Sequence, residues 1–213
     1  MSETQNAATA LSAALVASDA ALEEALDNQA AESLCVQLRT AQDDAALALN
    51  LLAAVGGLAE GSPAGALSVV QAGGVEAILE KCGSQQQQQQ QQHEAQLQEA
   101  AVDALCKLLG HGEEMRIVVA GAGGIPLLAS LLGQTRSAEV RVRCLLALGM
   151  LVGGSPEHQQ QLAAAPGAAA HLVALMRQAD DADCQQIAAS IFAELAKNPG
   201  AKEGIAAALK GSQ

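Results

Sequence analysis

Gly121-Ala-Gly-Gly-Ile-Pro-Leu-Leu-Ala-Ser-Leu-Leu132 is the stretch on which the fold turns. A glycine pair runs directly into apolar residues at helical spacing, which reads as a tight corner followed by a helix packed on one side. The same pattern recurs upstream as Gln71-Ala-Gly-Gly-Val-Glu-Ala-Ile-Leu-Glu-Lys-Cys82 and downstream as Ala165-Pro-Gly-Ala-Ala-Ala-His-Leu-Val-Ala-Leu-Met176. The matched glycines, Gly73, Gly123 and Gly167, are spaced by 50 and 44 residues. A second marker agrees. Apolar helix stripes at residues 51–59, 101–109, 144–152 and 188–196 place Leu58, Leu108, Leu151 and Leu195 at spacings of 50, 43 and 44.

The longer first interval contains eight consecutive glutamines, residues 85–92. Removing about seven residues there restores a period inside the roughly 40–47 expected of armadillo or HEAT units. Loop-closure entropy grows slowly with length, so a solvated polar tract is tolerated at such a point. We therefore expect a disordered poly-Gln insert at residues 84–93. Within each unit the signals run short helix, glycine corner, helix, loop, long helix. Ser62-Pro63, Ser155-Pro156 and Asn198-Pro199 each set a capping side chain before a proline suited to a first helical turn.

Ala122-Gly-Gly-Ile-Pro-Leu-Leu128, Cys144-Leu-Leu-Ala-Leu-Gly-Met-Leu-Val152 and Ser155-Pro-Glu-His158 resemble the corner, the long helix and the unit opening of the armadillo family. The likeness covers residues 45–209. It implies an all-α fold, a right-handed α-solenoid of about three full units plus caps, whose long third helices line a concave protein-binding surface. Residues 1–44 read as an amino-terminal helical cap and residues 45–213 as the repeat domain. Leu34, Cys35 and Leu38 align with Ile78, Leu79 and Cys82 one unit later, and Glu23, Glu24 and Asp27 suit the polar outer side of a cap.

Composition points the same way. Half of the 213 residues are hydrophobic, yet there is one Phe (Phe192) and no Tyr or Trp, so the helix formers Ala and Leu dominate while strand-favouring aromatics are missing. A formal charge of −12 argues against a nucleic-acid groove or an anionic membrane surface, both of which need a basic stripe. No segment reaches the roughly 18–20 uninterrupted apolar residues of a membrane span. The start, MSETQNAATA, lacks the features of a signal peptide. Cys35, Cys82, Cys106, Cys144 and Cys184 are odd in number, scattered and without a CxxC pair, which reads as buried thiols in a reducing, cytoplasmic setting.

The sequence carries no recognisable catalytic or metal-binding pattern. His93, His111, His158 and His171 offer no i, i+4 pair for a metal. The Gly121–Gly124 segment follows a helix and lacks the Lys-Ser/Thr of a phosphate loop. Asp43-Asp44 and Asp180-Asp181-Ala-Asp183 precede long helices, where carboxylates cap and complement the helix dipole. No nucleophile stands with a base and an orienting partner. The expectation is a non-enzymatic protein-binding scaffold with no cofactor, no metal and no small-molecule substrate.

Positions matching the family's groove asparagine are Gly57, Lys107, Met150 and Glu194, and those matching its groove tryptophan are Ala53, Asp103, Leu146 and Ser190. Neither ladder is present, which removes the family's nuclear-import grip on basic peptides. The long helix before Val152 instead carries Val142, Leu146 and Met150 at i, i+4, i+8, an apolar patch to be rimmed by Lys107, Arg141, Arg143 and Glu194. This is the expected partner site. The competing reading packs Leu146 and Met150 against the adjacent repeat. Two alternatives stand beside a general adaptor. Val140-Arg-Val-Arg143 and Pro156-Glu-His158 are similar to armadillo nucleotide-exchange factors of Hsp70-type chaperones, and a structural subunit of a cytoskeletal or ciliary complex, located at the cilium or axoneme, is the other.

Overall fold

A computed structural model describes residues 3–27, 29–41, 44–83, 91–178 and 181–210. Among them the regular structure is helical throughout, with no strand, as alanine-rich amphipathic segments require. The central part of the glutamine tract (residues 85–90), Asp43 and Asp180 lie outside the described residues. The tract's last two residues do not: the helix that follows begins at Gln91, inside the span read from sequence as loop.

Contacts divide the chain into two compact units, Met1–Val118 and Val119–Gln213. In the first, α1 (Glu3–Ala17), α2 (Asp19–Asp27), α3 (Ala30–Thr40), α4 (Ala45–Gly61), α5 (Pro63–Gln71), α6 (Gly74–Gly83) and α7 (Gln91–Leu109) follow one another. Helix α8 (Glu113–Gly121) contains the divide. The second unit continues with α9 (Gly124–Gln134), α10 (Ala138–Val152), α11 (Pro156–Ala164), α12 (Ala168–Arg177), α13 (Ala182–Lys197), a 3₁₀ turn (Pro199–Ala201) and α14 (Lys202–Lys210).

In the first unit α4 packs along α1 on one side and α7 on the other, and α3 packs on α4 and α6. Leu51, Leu52, Leu58, Leu105, Leu108 and Leu109 are fully buried. Each such leucine contributes roughly 1.5–3 kcal/mol over an exposed one. In the second unit α10 packs on α9 and α13, and α12 on α9 and α13, burying Leu145, Leu148, Leu151, Ile191 and Leu195. All four leucines of the sequence period, at 58, 108, 151 and 195, are at 0% exposure, which confirms the register.

The local devices are those the sequence offers. Ser62 Oγ accepts from Gly65 N at 2.9 Å, Ser155 Oγ from His158 N at 3.3 Å, and Asn198 Oδ1 from Gly200 N at 2.9 Å. Asp44 and Asp181 cap α4 and α13, accepting from Leu47 N at 2.9 Å and Cys184 N at 3.1 Å. Gly73, Gly123 and Gly167 turn their corners at φ of 70°, 85° and 75°, where a Cβ would be strained. One corner has no glycine. Gln29 takes the left-handed conformation (φ 54°, ψ 37°) between α2 and α3, 44 residues before Gly73, so α2, α3 and α4 follow the path of the later triplets.

Candidate functional site

Helix α10 separates into two stripes. Val140, Cys144, Leu145, Ala147, Leu148, Leu151 and Val152 face the core. Val142, Leu146 and Met150 point elsewhere: Leu146 is 45% exposed, and Val142 and Met150 are half-buried. Leu146 is thus only partly covered. Beside it on α13, Gln186 and Ser190 are exposed and Glu194 is half-buried. The two helices approach closely at Gly149, where an added Cβ would already lie 3.8 Å from Ile191 Cγ1.

Charges around this stripe are engaged within the protein. Arg141 Nη1 lies 3.9 Å from Asp181 Oδ2, the carboxylate that also caps α13. Hydrogen bonds from Cys184 and, less strongly, the Arg141 charge hold the Asp181 carboxyl below its usual range. Glu194 accepts from Lys197 at 2.7 Å, and Arg143 is half-buried. Glu194, Lys197, Pro156, Gln159, Asn198 and Pro199 line a cleft of about 200 Å³. That is below the roughly 300–1,000 Å³ of small-molecule sites.

Lys107 belongs to the first unit and is held there. Its stem crosses Gly56 of α4, where a Cβ would sit 3.3 Å from Lys107 Cδ, and its ammonium meets Glu60 at 3.0 Å and Asp103 at 3.4 Å. Burial works against its charge, but the bond to Glu60 and the charges of Asp103 and Glu60 outweigh it and raise its pKa. Lys107 therefore ties α4 to α7. Of the other family groove positions, Gly57 is buried against Leu15 of α1, while Ala53 is exposed. The structure brings Arg141, Val142, Arg143, Leu146 and Met150 together on α10 with Glu194 on adjacent α13.

Several residues singled out for chemistry serve the fold. His158 Nδ1 donates to Leu151 O at 2.9 Å and Gln159 Nε2 to Val152 O at 3.1 Å, so both close the end of α10. Asn198 Nδ2 donates to Pro156 O and to Gln159 Oε1 at 2.7 and 3.0 Å, extending that polar seam. Burial pushes the Cys35 thiol up to about 11, and burial with the Asp181 carboxylate pushes Cys184 up to about 12, so neither is a thiolate at neutral pH. Among the described residues no group of three or more His, Cys, Asp or Glu is placed to hold a metal. No single described helix is long and apolar enough to cross a membrane.

Sequence reasoning missed Lys81, which is 5% exposed and donates from Nζ to Ala41 O at 2.8 Å, anchoring the end of α3. Burial lowers its pKa. It also missed the exposed Val36, Leu67 and Ile117, and a cleft between α1 and α3.

No protein-family model matches the chain. No curated protein matches it either. Solved structures do. An engineered protein from the Northeast Structural Genomics Consortium aligns with 98% of this chain and 80% of its own, at 26% identity and a TM-score of 0.80. A computationally designed armadillo repeat protein for modular peptide recognition covers 89% of this chain and 74% of its own, at 20% identity and 0.76. A designed armadillo repeat protein in complex with the peptide (KR)4 covers 98% and 80%, at 19% and 0.76. The chain has the armadillo-type helical repeat fold, as its corner and long-helix residues imply.

Proposed function

We propose that the chain is a non-enzymatic adaptor that binds a segment of another protein across α10 and α13, with Leu146 as the central contact. The observation that carries this reading is the exposure of Leu146 between half-buried Val142 and Met150 on one helical stripe. Burying the exposed part of that leucine would contribute about 1 kcal/mol, and the flanking residues add to it. Gln186 and Ser190 supply polar groups at the edge, as the rim of a protein interface does. Designed proteins of this fold that recognise peptides support the class of ligand. The expected compartment is the cytoplasm, on the cysteine pattern. The residues behind the chaperone likeness do not favour that alternative: Val140 is fully buried and His158 caps Leu151.

Peptides selected from a random displayed library against the purified chain provide the test. They should carry an apolar anchor and bind Leu146→Glu, Met150→Glu at least tenfold more weakly than wild type, because a carboxylate at a desolvated contact has no partner. Unchanged affinity in a double variant that keeps its helical circular dichroism would refute the assignment. Should the double variant unfold, Ser190→Trp, which alters only the exposed edge, replaces it in the same comparison.

A further inference from the structure

The second helices of two triplets, one in each unit, fill slots of like construction. Helix α3 lies against its own third helix, α4, and against the next second helix, α6. In the other unit α9 lies in the same way against α10 and α12. Both occupants are 11 residues long. Both insert the same pattern: Ala31, Leu34, Cys35 and Leu38 from α3, and Ile125, Leu128, Ala129 and Leu132 from α9, each at i, i+3, i+4, i+7.

Helix α1 packs along α4 as a third helix does, and α3 follows as the next second helix. The slot these two define is open. It is a groove of about 470 Å³ lined by Ala7, Ala8 and Leu11 of α1 and by Ser33, Leu34 and Gln37 of α3. One period later the counterparts of Ser33 and Gln37 are Ala77 and Lys81, at 0% and 5% exposure beneath α3, whereas Ser33 itself is exposed and Gln37 half-buried. A terminal cap turns a polar side outward. This edge instead sets exposed Ala7 and half-buried Leu11 and Ala30 beside Ser33 and Gln37, with Ala8 and Leu34 buried at the floor. Its flanks are acidic: Glu23, Glu24 and Asp27 of α2, which packs on both α1 and α3, and Glu32 of α3 are exposed, against one base there, Arg39.

We propose that this slot receives an amphipathic helix of a partner protein, about three turns long, with small or aliphatic residues at i, i+3, i+4 and i+7 and Lys or Arg on its flanks. The two filled slots of the same chain define the pattern of its apolar face, and the acidic helices beside the groove define its charge.

The probe is a fluorescein-labelled, helix-stapled synthetic peptide with Leu and Ala at those four positions and Lys on its flanks, titrated by anisotropy against the full chain. Saturable binding is expected, weakened at least tenfold by Ser33→Trp, which fills the groove from an exposed position, and by Leu11→Glu. Leu146→Glu should leave this affinity unchanged, which keeps the site distinct from the α10 face. The proposal is overturned if the peptide does not bind, if Ser33→Trp binds it as wild type does, or if a Glu-flanked peptide binds equally well. Self-association in sedimentation that Ser33→Trp abolishes would give the slot to a second copy and also overturn it. If Leu11→Glu lowers the melting temperature, Ser33→Trp alone decides.

Discussion

Gly65, in the first turn of α5, shows how one hydrogen atom matters. A Cβ built there collides with the Leu58 carbonyl oxygen, a backbone atom that cannot swing aside. Alanine is ordinarily about 1 kcal/mol better than glycine in a helix interior, yet overpacking costs roughly 1–3 kcal/mol. Gly65→Ala should therefore destabilise in urea denaturation, while Gly121→Ala, where nothing lies within 4 Å, should be neutral or stabilising. Equal effects at the two sites would contradict the packing described. The Cys35 thiol gives a second check. Its pKa is about 11 when folded against 9.0 for the free side chain. The folded state thus holds the proton more tightly, and this stability is complete below pH 9 and lost as pH rises toward 11, by about 2–3 kcal/mol. The loss should appear as the difference between wild type and Cys35→Ala across that range, and parallel curves would disprove it.

Among the elements, the corner between α2 and α3 is the weak one. Gln29 occupies the left-handed region that Gly73, Gly123 and Gly167 occupy in the other triplets. A left-handed non-glycine costs roughly 1–2 kcal/mol, while glycine adds about 0.5–1 kcal/mol of unfolded-state entropy. The strain is the larger quantity, so Gln29→Gly should raise stability by up to about 1 kcal/mol. Hydrogen exchange is the sharper readout, since protection should rise first in α2 and α3. A drop in protection there would mean that the Gln29 side chain makes contacts worth more than the strain.

For the whole chain, charge excess outweighs its ion pairs. There are 23 acids and 11 bases, and the pairs Lys107–Glu60, Lys107–Asp103, Arg141–Asp181 and Lys197–Glu194 are all at least partly exposed. Such pairs contribute about 0–1 kcal/mol each. The remaining −12 repels itself throughout the folded state. Raising salt from about 10 to about 150 mM shortens the screening length from about 30 to about 8 Å. The melting temperature should rise, and a fall would show that the ion pairs dominate.

The period, the glycine corners, the Ser, Asn and Asp caps and the burial of Leu58, Leu108, Leu151 and Leu195 are legible in the amino acids alone. These depend on local sterics and on spacing along one helix, both of which a linear sequence states directly. Gln29 escaped because glutamine carries no corner signal, although its distance from Gly73 would have located it. Tertiary packing alone decided what covers the rest of the long helices. Helix α4, AALALNLLAAVGGLAEG, is apolar around nearly its whole circumference, so nothing in its pattern says that α1 lies over Gly57 or that the Lys107 stem crosses Gly56. The partners of Lys107 and Arg141, the burial of Lys81 and the open slot beside α1 likewise arise from contacts between residues distant in sequence. Alanine-rich surfaces leave such contacts undetermined until helices are set side by side.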